Sequence, residues 1–249
     1  DDMYGATFNY EWSMWGWEHT AAGHWPIAED WAQANAQTQG YVDLLAFIGQ
    51  LYEKEVVPQQ ALTGYNDSVR LLGEESVAMT FSGSWGIAQL EADFPDFVDL
   101  IGVAPAPTQD GTPFQSTVGG WTYVIDAKAA QPEGAAAYIT WLLGSDTARA
   151  GSFFETASFS KYSPRKSLDE YLTTQTAAKD DERMQIISSQ IIPNSISEPI
   201  YAWEISAALL TAIDEVVTGG ASPEDALQNA ADTINAYIEN VNYSEKKPQ

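Results

Sequence analysis

Between positions 38 and 55 the apolar residues Val42, Leu45, Phe47, Ile48, Leu51 and Tyr52 recur at intervals of three and four, and Val56-Val57-Pro58 closes the run. That spacing predicts an amphipathic helix with one face on a core. The same period returns in residues 132–143, where Pro132 opens a stripe of Ala136, Ile139, Leu142 and Leu143. It returns again near the end of the chain, in Leu227, Ala231, Ile234, Ile238 and Val241. Ser222-Pro223-Glu224-Asp225 marks the start of that last helix with a capping hydroxyl, a proline at the first helical position and two acids set against the helix dipole. Further helices are expected over residues 65–72, 145–154 and 183–192, and from Trp203 to the break at Gly219-Gly220.

Short uncharged runs separate these helices. Val77 to Phe81 reads as a buried strand, Leu100 to Ala104 as a second one stopped by Pro105-Ala106-Pro107, and residues 117–125 as a third, with Gly119-Gly120 marking a bend or a close approach. After the first strand, Ser82-Gly83-Ser84 breaks the chain and a helix is expected from Trp85, with Ser84 as its cap. Strands alternating with helices predict an α/β fold. In open α/β sheets ligands bind beyond the carboxyl ends of the strands, which leaves Trp85 as either a core plug or a binding platform.

Composition narrows the function. The 249 residues, 45% of them apolar, suffice for a packed core in one large domain or two smaller ones. Thirty-five acidic side chains face 11 basic ones, a formal net charge of -24, and no segment collects Lys and Arg into a patch. Nucleic acid and anionic lipid are therefore poor partners, and no nucleic acid is expected, because both need counter-charges on the protein. With no cysteine there is no disulfide, thiolate metal site or Cys nucleophile. No run of ~18 apolar residues is present to span a bilayer. His19 and His24 lie five apart, not the four of a zinc-binding helix, and no metal or cofactor is expected.

Most catalytic signatures fail on inspection. Gly83-Ser84-Trp85-Gly86 lacks the glycine two residues before the serine of a nucleophile elbow, and both histidines precede Ser84. The Ser-x-x-Lys matches at Ser158 and Ser163 have no Ser-Asp-Asn or Lys-Thr-Gly beside them. No phosphate-binding glycine loop or dinucleotide fingerprint occurs. Glu11, Glu18 and Glu204, each next to a tryptophan, are candidate glycosidase carboxylates, but hydrogen bonding to a ligand or facing solvent is the expected role of each. What stands out is the aromatic content, nine Trp and 12 Tyr, with Trp12, Trp15, Trp85, Trp121, Tyr162 and Trp203 in or beside loops. Flat rings with a few carboxylates and backbone N–H groups complement a sugar, which has an apolar C–H face and a polar rim.

An ordered set of motifs carries a resemblance. Gly73-Glu74-Glu75-Ser76-Val77-Ala78-Met79 is followed by Ser82-Gly83-Ser84-Trp85, Ile101-Gly102-Val103-Ala104-Pro105-Ala106-Pro107 and Val118-Gly119-Gly120-Trp121. Next come Ala136-Ala137-Tyr138-Ile139-Thr140-Trp141-Leu142, then Ile192-Pro193-Asn194, Trp203 and Ser222-Pro223-Glu224-Asp225-Ala226-Leu227. In this order and spacing the chain resembles the extracellular solute-binding proteins of bacterial carbohydrate ABC importers, the family of the maltose- and glycerol-3-phosphate-binding proteins. The resemblance implies a periplasmic-binding-protein-like fold of two α/β lobes hinged around a sugar. It assigns residues 1–118 to the second lobe, residues 119–172 to the hinge crossing and a return segment of the first lobe, and residues 173–249 to the C-terminal helices of the second lobe. Most of the first lobe would precede the sequence given, and the stretch from Trp121 to Ser160 would then expose apolar surface.

By the same resemblance, Trp12 and Trp15 match an early aromatic pair, Trp85 the ring after the Gly-x-Trp turn, and Gly120 with Trp121 the backbone and ring on the hinge side. Trp203 matches the stacking aromatic of a late loop, with Glu204 beside it, and Tyr162 and Arg165 match a loop that reaches the ligand in some relatives. Ile200 stands where some relatives carry a basic residue, which argues against a phosphorylated guest. The function implied is non-enzymatic: binding of a sugar, oligosaccharide or polyol and delivery to the ABC permease subunits, by a monomer outside the cytoplasm, periplasmic or lipid-anchored through a preceding segment. A secreted glycoside hydrolase and a lectin-like carbohydrate-binding protein are the alternatives.

Overall fold

The structure is a computed structural model that describes residues 3–8, 10, 14–59 and 67–248. In chain order its elements are β1 (Thr7–Phe8), α1 (Met14–Ala22), α2 (Gln39–Glu53), α3 (Asp67–Gly73), β2 (Thr80–Phe81), α4 (Trp85–Asp93) and β3 (Thr117–Val118). They continue with α5 (Pro132–Ile139), α6 (Thr147–Thr156), α7 (Lys166–Gln175), α8 (Glu182–Ile186), β4 (Ile196–Ser197), α9 (Trp203–Val217) and α10 (Pro223–Val241). The chain divides into two compact units, one built from residues 1–81, 107–117 and 195–249 and the other from residues 82–106 and 118–194.

In the first unit the predicted periodicities become a helical core. α9 packs against both α2 and α10. Leu44, Leu45 and Ile48 of α2, Ile205, Leu209 and Ile213 of α9, and Leu227, Ile234 and Ile238 of α10 are all buried in one cluster. Phe47, expected on the inner face of α2, is 42% exposed with its ring stacked on Trp17 at 6.0 Å, while Tyr41 is fully buried. Ser222 caps α10 as its sequence requires: the Asp225 N–H donates to the Ser222 hydroxyl at 3.1 Å. At the other end Asn242 adopts a left-handed conformation, φ 49°, that closes the helix. The tail that follows is a helical turn, Tyr243–Lys246, and the Tyr243 ring stacks on Trp31 at 4.8 Å and 5°.

Of the buried strand expected at Val77 to Phe81 only Thr80–Phe81 is strand, with Met79 before it 58% exposed, and it pairs in parallel with the start of the chain. Thr7 opposes Thr80 and Phe8 opposes Phe81, and an isolated bridge joins Tyr4 to Val77. The Phe8 and Phe81 rings stack at 4.6 Å, and Trp17 of α1 meets Phe8, Phe81 and Phe114 edge-on, so Trp17 is a core ring. The Ile196 N–H donates to the Ser116 carbonyl at 2.8 Å, which ties β4 to the returning segment 107–117.

The second unit has smaller cores. Ala150 and Phe154 of α6 and Leu168 and Leu172 of α7 form one cluster. Asp181 caps α8 by accepting from the Arg183 N–H, and the Arg183 guanidinium both pairs with Asp181 at 2.8 Å and donates to the Val98 carbonyl. Two sequence expectations change here. Residues 98–100 form a 3-10 turn with Leu100 76% exposed, and residues 101–106 carry no regular element, so no strand forms at 100–104. Of residues 117–125 only Thr117–Val118 is strand. Both stretches have strand-forming composition, but a strand is defined by a neighbour that takes its N–H and C=O groups, and among the described residues none does so for 101–106 or 119–125. The helix expected over 132–143 is α-helical to Ile139 and π-helical over Thr140–Gly144, and Ile187–Ile191 after α8 is likewise a π-turn.

Candidate functional site

In the first unit two tryptophans far apart in sequence come together. Trp15 lies in α1 and Trp203 opens α9, and their ring centroids are 6.5 Å apart at 72°, an edge-to-face pair. Trp15 is half-buried, and its indole N–H donates to the Ser206 hydroxyl at 2.9 Å. Ser206 stands three residues after Trp203 on the same helix face and is itself buried. The bond uses the only polar atom of the Trp15 ring and fixes its plane. Trp203 stays 44% exposed, so the pair presents one anchored ring and one accessible ring.

Beneath this pair the unit is aromatic and polar. Tyr201 meets Trp25 edge-on at 6.0 Å, Trp25 meets His19 at 4.9 Å, and His19 Nδ1 lies 2.6 Å from Gln115 Oε1. Glu18, one turn beyond Trp15, is 3% exposed and its Oε2 has no hydrogen-bond partner among the described residues; burial pushes its carboxyl up to about 8. Glu18 in turn raises the phenols of Tyr41 and Tyr201, which burial has already pushed well above the usual tyrosine value. The solvent-facing role open to Glu18 from sequence is excluded by its burial. Glu204 is exposed and lies near Tyr237 and Tyr243, whose phenols are pushed up first by burial and further by the Glu204 charge. Trp12 and Glu11 fall outside the described residues.

The other sequence candidates belong to the second unit. Trp85 is the first residue of α4, half-buried, and its ring folds back over Gly83: a Cβ on Gly83 would stand 1.6 Å from the Trp85 ring. Any side chain at Gly83 would force the Trp85 ring out of this position. Ser84 does not cap α4; it has helical dihedral angles and its hydroxyl donates to the Ser160 carbonyl at 2.8 Å. That bond sets the Trp85 turn beside the loop that carries Tyr162. The Tyr162 hydroxyl contacts Met184 Sδ at 3.5 Å, and burial pushes its phenol above the usual value. Arg165 donates to the carbonyls of Leu143 and Ser145, so its guanidinium holds together the turn before α6 and the start of α7. Gly120 adopts φ +139°, a conformation closed to side-chain-bearing residues, and Trp121 after it is 88% exposed.

Ser206, Glu18 and Tyr201 were not foreseen as a group. The spacing of Trp15 and Glu18 at i, i+3 was a readable signal, but pairing them with a segment almost 190 residues away was not. Among the described residues no group of three or more His, Asp and Glu is arranged to hold a metal. Nor, among those residues, is any helix long and apolar enough to cross a membrane.

Comparison with solved structures defines the class: the chain has the fold of two-lobed periplasmic binding proteins. An ABC transporter solute-binding protein from Thermotoga lettingae, bound with alpha-D-tagatose, superposes with a TM-score of 0.76 at 23% identity, covering 95% of this chain and 60% of that one. The sugar-binding protein MalE of Xanthomonas citri gives a TM-score of 0.76 at 17% identity, over 100% of this chain and 61% of its own. MalE of Bdellovibrio bacteriovorus, bound to maltotriose, gives 0.74 at 20% identity, over 96% and 61%. The chain thus spans about 60% of the length of the structures it matches. The family of bacterial extracellular solute-binding proteins matches residues 2–149, and this chain belongs to it. No match was found among curated proteins.

Proposed function

We propose that this protein is the substrate-binding component of a carbohydrate ABC importer, taking up a neutral sugar, oligosaccharide or polyol outside the cytoplasm and passing it to the permease without altering it. The observation that carries this reading is the Trp15–Trp203 pair, one ring locked by Ser206 and the other open to solvent, on a fold otherwise used by binding proteins. An indole face covers the C–H face of a pyranose, and the polar edge of the same guest is left for hydrogen bonds. Trp12 and Glu204 are proposed as further contacts of this unit. In the second unit Trp85, Gly120, Trp121, Tyr162 and Arg165 are proposed as ligand contacts on the strength of the family motif. Residues 119–121 serve in this reading as a crossing segment, for which the glycine conformation at 120 is suited.

The strong negative charge fits a guest without phosphate. Calorimetry against a panel of glucose, tagatose, maltose, maltotriose and mannitol identifies the ligand class. Trp85→Ala, Trp121→Ala and Trp203→Ala are each expected to raise Kd about tenfold, equal to about 1.4 kcal/mol. Unchanged affinity in all three rejects this assignment of the site. Oligosaccharides incubated with the protein are expected back intact, and their cleavage would replace transport with hydrolysis.

A further inference from the structure

Among the described residues Glu18 is the only buried carboxylate, and it sits on the helix that carries Trp15. No ion pair among those residues includes it. The titratable groups facing it are Tyr41 from α2 and Tyr201 from the segment leading into α9, both neutral across the physiological range. On α1 itself the next residue, His19, is turned to Gln115 of the returning segment. Ser206, from α9, is committed to Trp15. Among the described residues Glu18 Oε2 in this pocket of side chains has no hydrogen-bond partner, and the Tyr201 hydroxyl faces Ser206.

An ionised carboxylate cannot remain in such surroundings without a large desolvation cost, whereas the neutral acid can. We propose that Glu18 is a proton-dependent positioning residue: as the neutral acid it lets α1 close on Tyr41 and Tyr201, and on ionising it opens that contact and draws Trp15 away from Ser206. The bond from Trp15 to Ser206 makes this more than a local event, because Ser206 shares a helix face with Trp203. A change at Glu18 therefore reaches the ring pair through one side chain on each helix. Its consequence for sugar affinity rests on the function proposed above; the conformational switch does not.

The direction follows from linkage. The folded carboxyl titrates at about 8 and the ordinary value is 4.5, so the folded state holds a proton that the unfolded chain releases between those values. The stabilisation is complete below pH ~4.5, declines by about tenfold in the folding equilibrium per pH unit above it, and is exhausted once the folded group has ionised.

The test compares the full chain with Glu18→Gln, which keeps the shape of the neutral acid, and with Glu18→Met, which removes the polar atoms should the amide fail to fold. Urea unfolding and tryptophan fluorescence are recorded from pH 5 to 9.5 without sugar. Expected is a wild-type folding equilibrium that falls about tenfold per pH unit between pH 6 and 8 relative to either variant, with a fluorescence change centred near pH 8 in wild type alone. A pH-independent difference, or the same fluorescence change in both variants, overturns the proposal. Calorimetry with the best sugar of the panel then reads the coupling at pH 6.5 and pH 9. Weaker binding at pH 9 in wild type but not in Glu18→Gln supports it, and pH-flat wild-type affinity overturns the link to the ring pair. If the fluorescence switch appears and no sugar binds, the switch stands and the transport reading falls.

Discussion

Helices α10 and α5 begin alike and fare differently. Each starts with proline at its first position followed by an acid in the first turn, and each carries an apolar stripe at helical spacing. α10 buries Ala226, Leu227, Ala230, Ala231, Ile234 and Ile238 against α9 and α2, whereas α5 buries none of its residues. From Val118 through Arg149 of the second unit no residue is buried, and Trp121, Val124, Tyr138 and Trp141 are among the most exposed large apolar side chains of the protein. Local rings do gather there: Tyr138 stacks on Trp141 at 6.0 Å, and the Arg149 guanidinium lies 5.3 Å over Trp141. These contacts join residues close in sequence, Tyr138 with Trp141 and Trp141 with Arg149 of α6, and form no core. An amphipathic stripe thus records a capacity for burial, and a facing surface decides whether the capacity is used.

The largest consequence of that contrast lies in the first unit. Leu227 is almost completely buried where α10 meets the shared cluster. Leu227→Ala leaves a cavity among rigid helices and is expected to lower stability by about 2–5 kcal/mol, measured by urea denaturation. The corresponding truncation in α5, Ile139→Ala, removes a side chain that meets no closed core and is expected to cost under about 1 kcal/mol. Equal losses at the two positions would erase the distinction between the units.

What the sequence made legible follows the same division. Helix periods were readable wherever three-residue and four-residue spacing persisted, and α2, α9 and α10 lie within a residue or two of their predicted bounds. The Ser222 cap was readable because all its parts are adjacent in sequence. Strands were less so: of Val77 to Phe81 only Thr80–Phe81 became strand, paired with Thr7–Phe8, and residues 101–104 and 119–125 have equally suitable composition but pair with nothing among the described residues. Ser84 looked like a cap and instead reaches Ser160, a choice made by a loop some 76 residues on. Of the candidate site, the tryptophans themselves were visible as a compositional excess. The pairing of Trp15 with Trp203 depended on α9, which the chain delivers almost 190 residues later, and the placing of Trp17 as a core ring depended on Phe81 and Phe114.

A middle-sized effect isolates local from tertiary contributions. Ser222→Ala removes the hydroxyl that accepts from the Asp225 N–H and is expected to cost about 1 kcal/mol, with a matching drop in thermal midpoint. Because the cap is exposed and lies outside the buried cluster, the loss is expected to add to that of Leu227→Ala in the double variant within about 0.5 kcal/mol. Non-additivity would show that the start of α10 and its core face are coupled.

The smallest effect is the most telling for the second unit. Val124 is 82% exposed in a stretch with no regular element, and no buried residue lies near it in sequence. Its side chain gains little from the folded state, so Val124→Ser is expected to change stability by no more than about 0.5 kcal/mol. Such a null result in unfolding should be accompanied by weaker binding of a hydrophobic dye, since the substitution removes exposed apolar surface from a stretch that also exposes Trp121 and Tyr123. A loss of about 2 kcal/mol instead would mean that Val124 is packed in solution. The stretch from Val118 to Arg149 would then have a burying surface of its own, and the difference between α5 and α10 would lie in its extent alone.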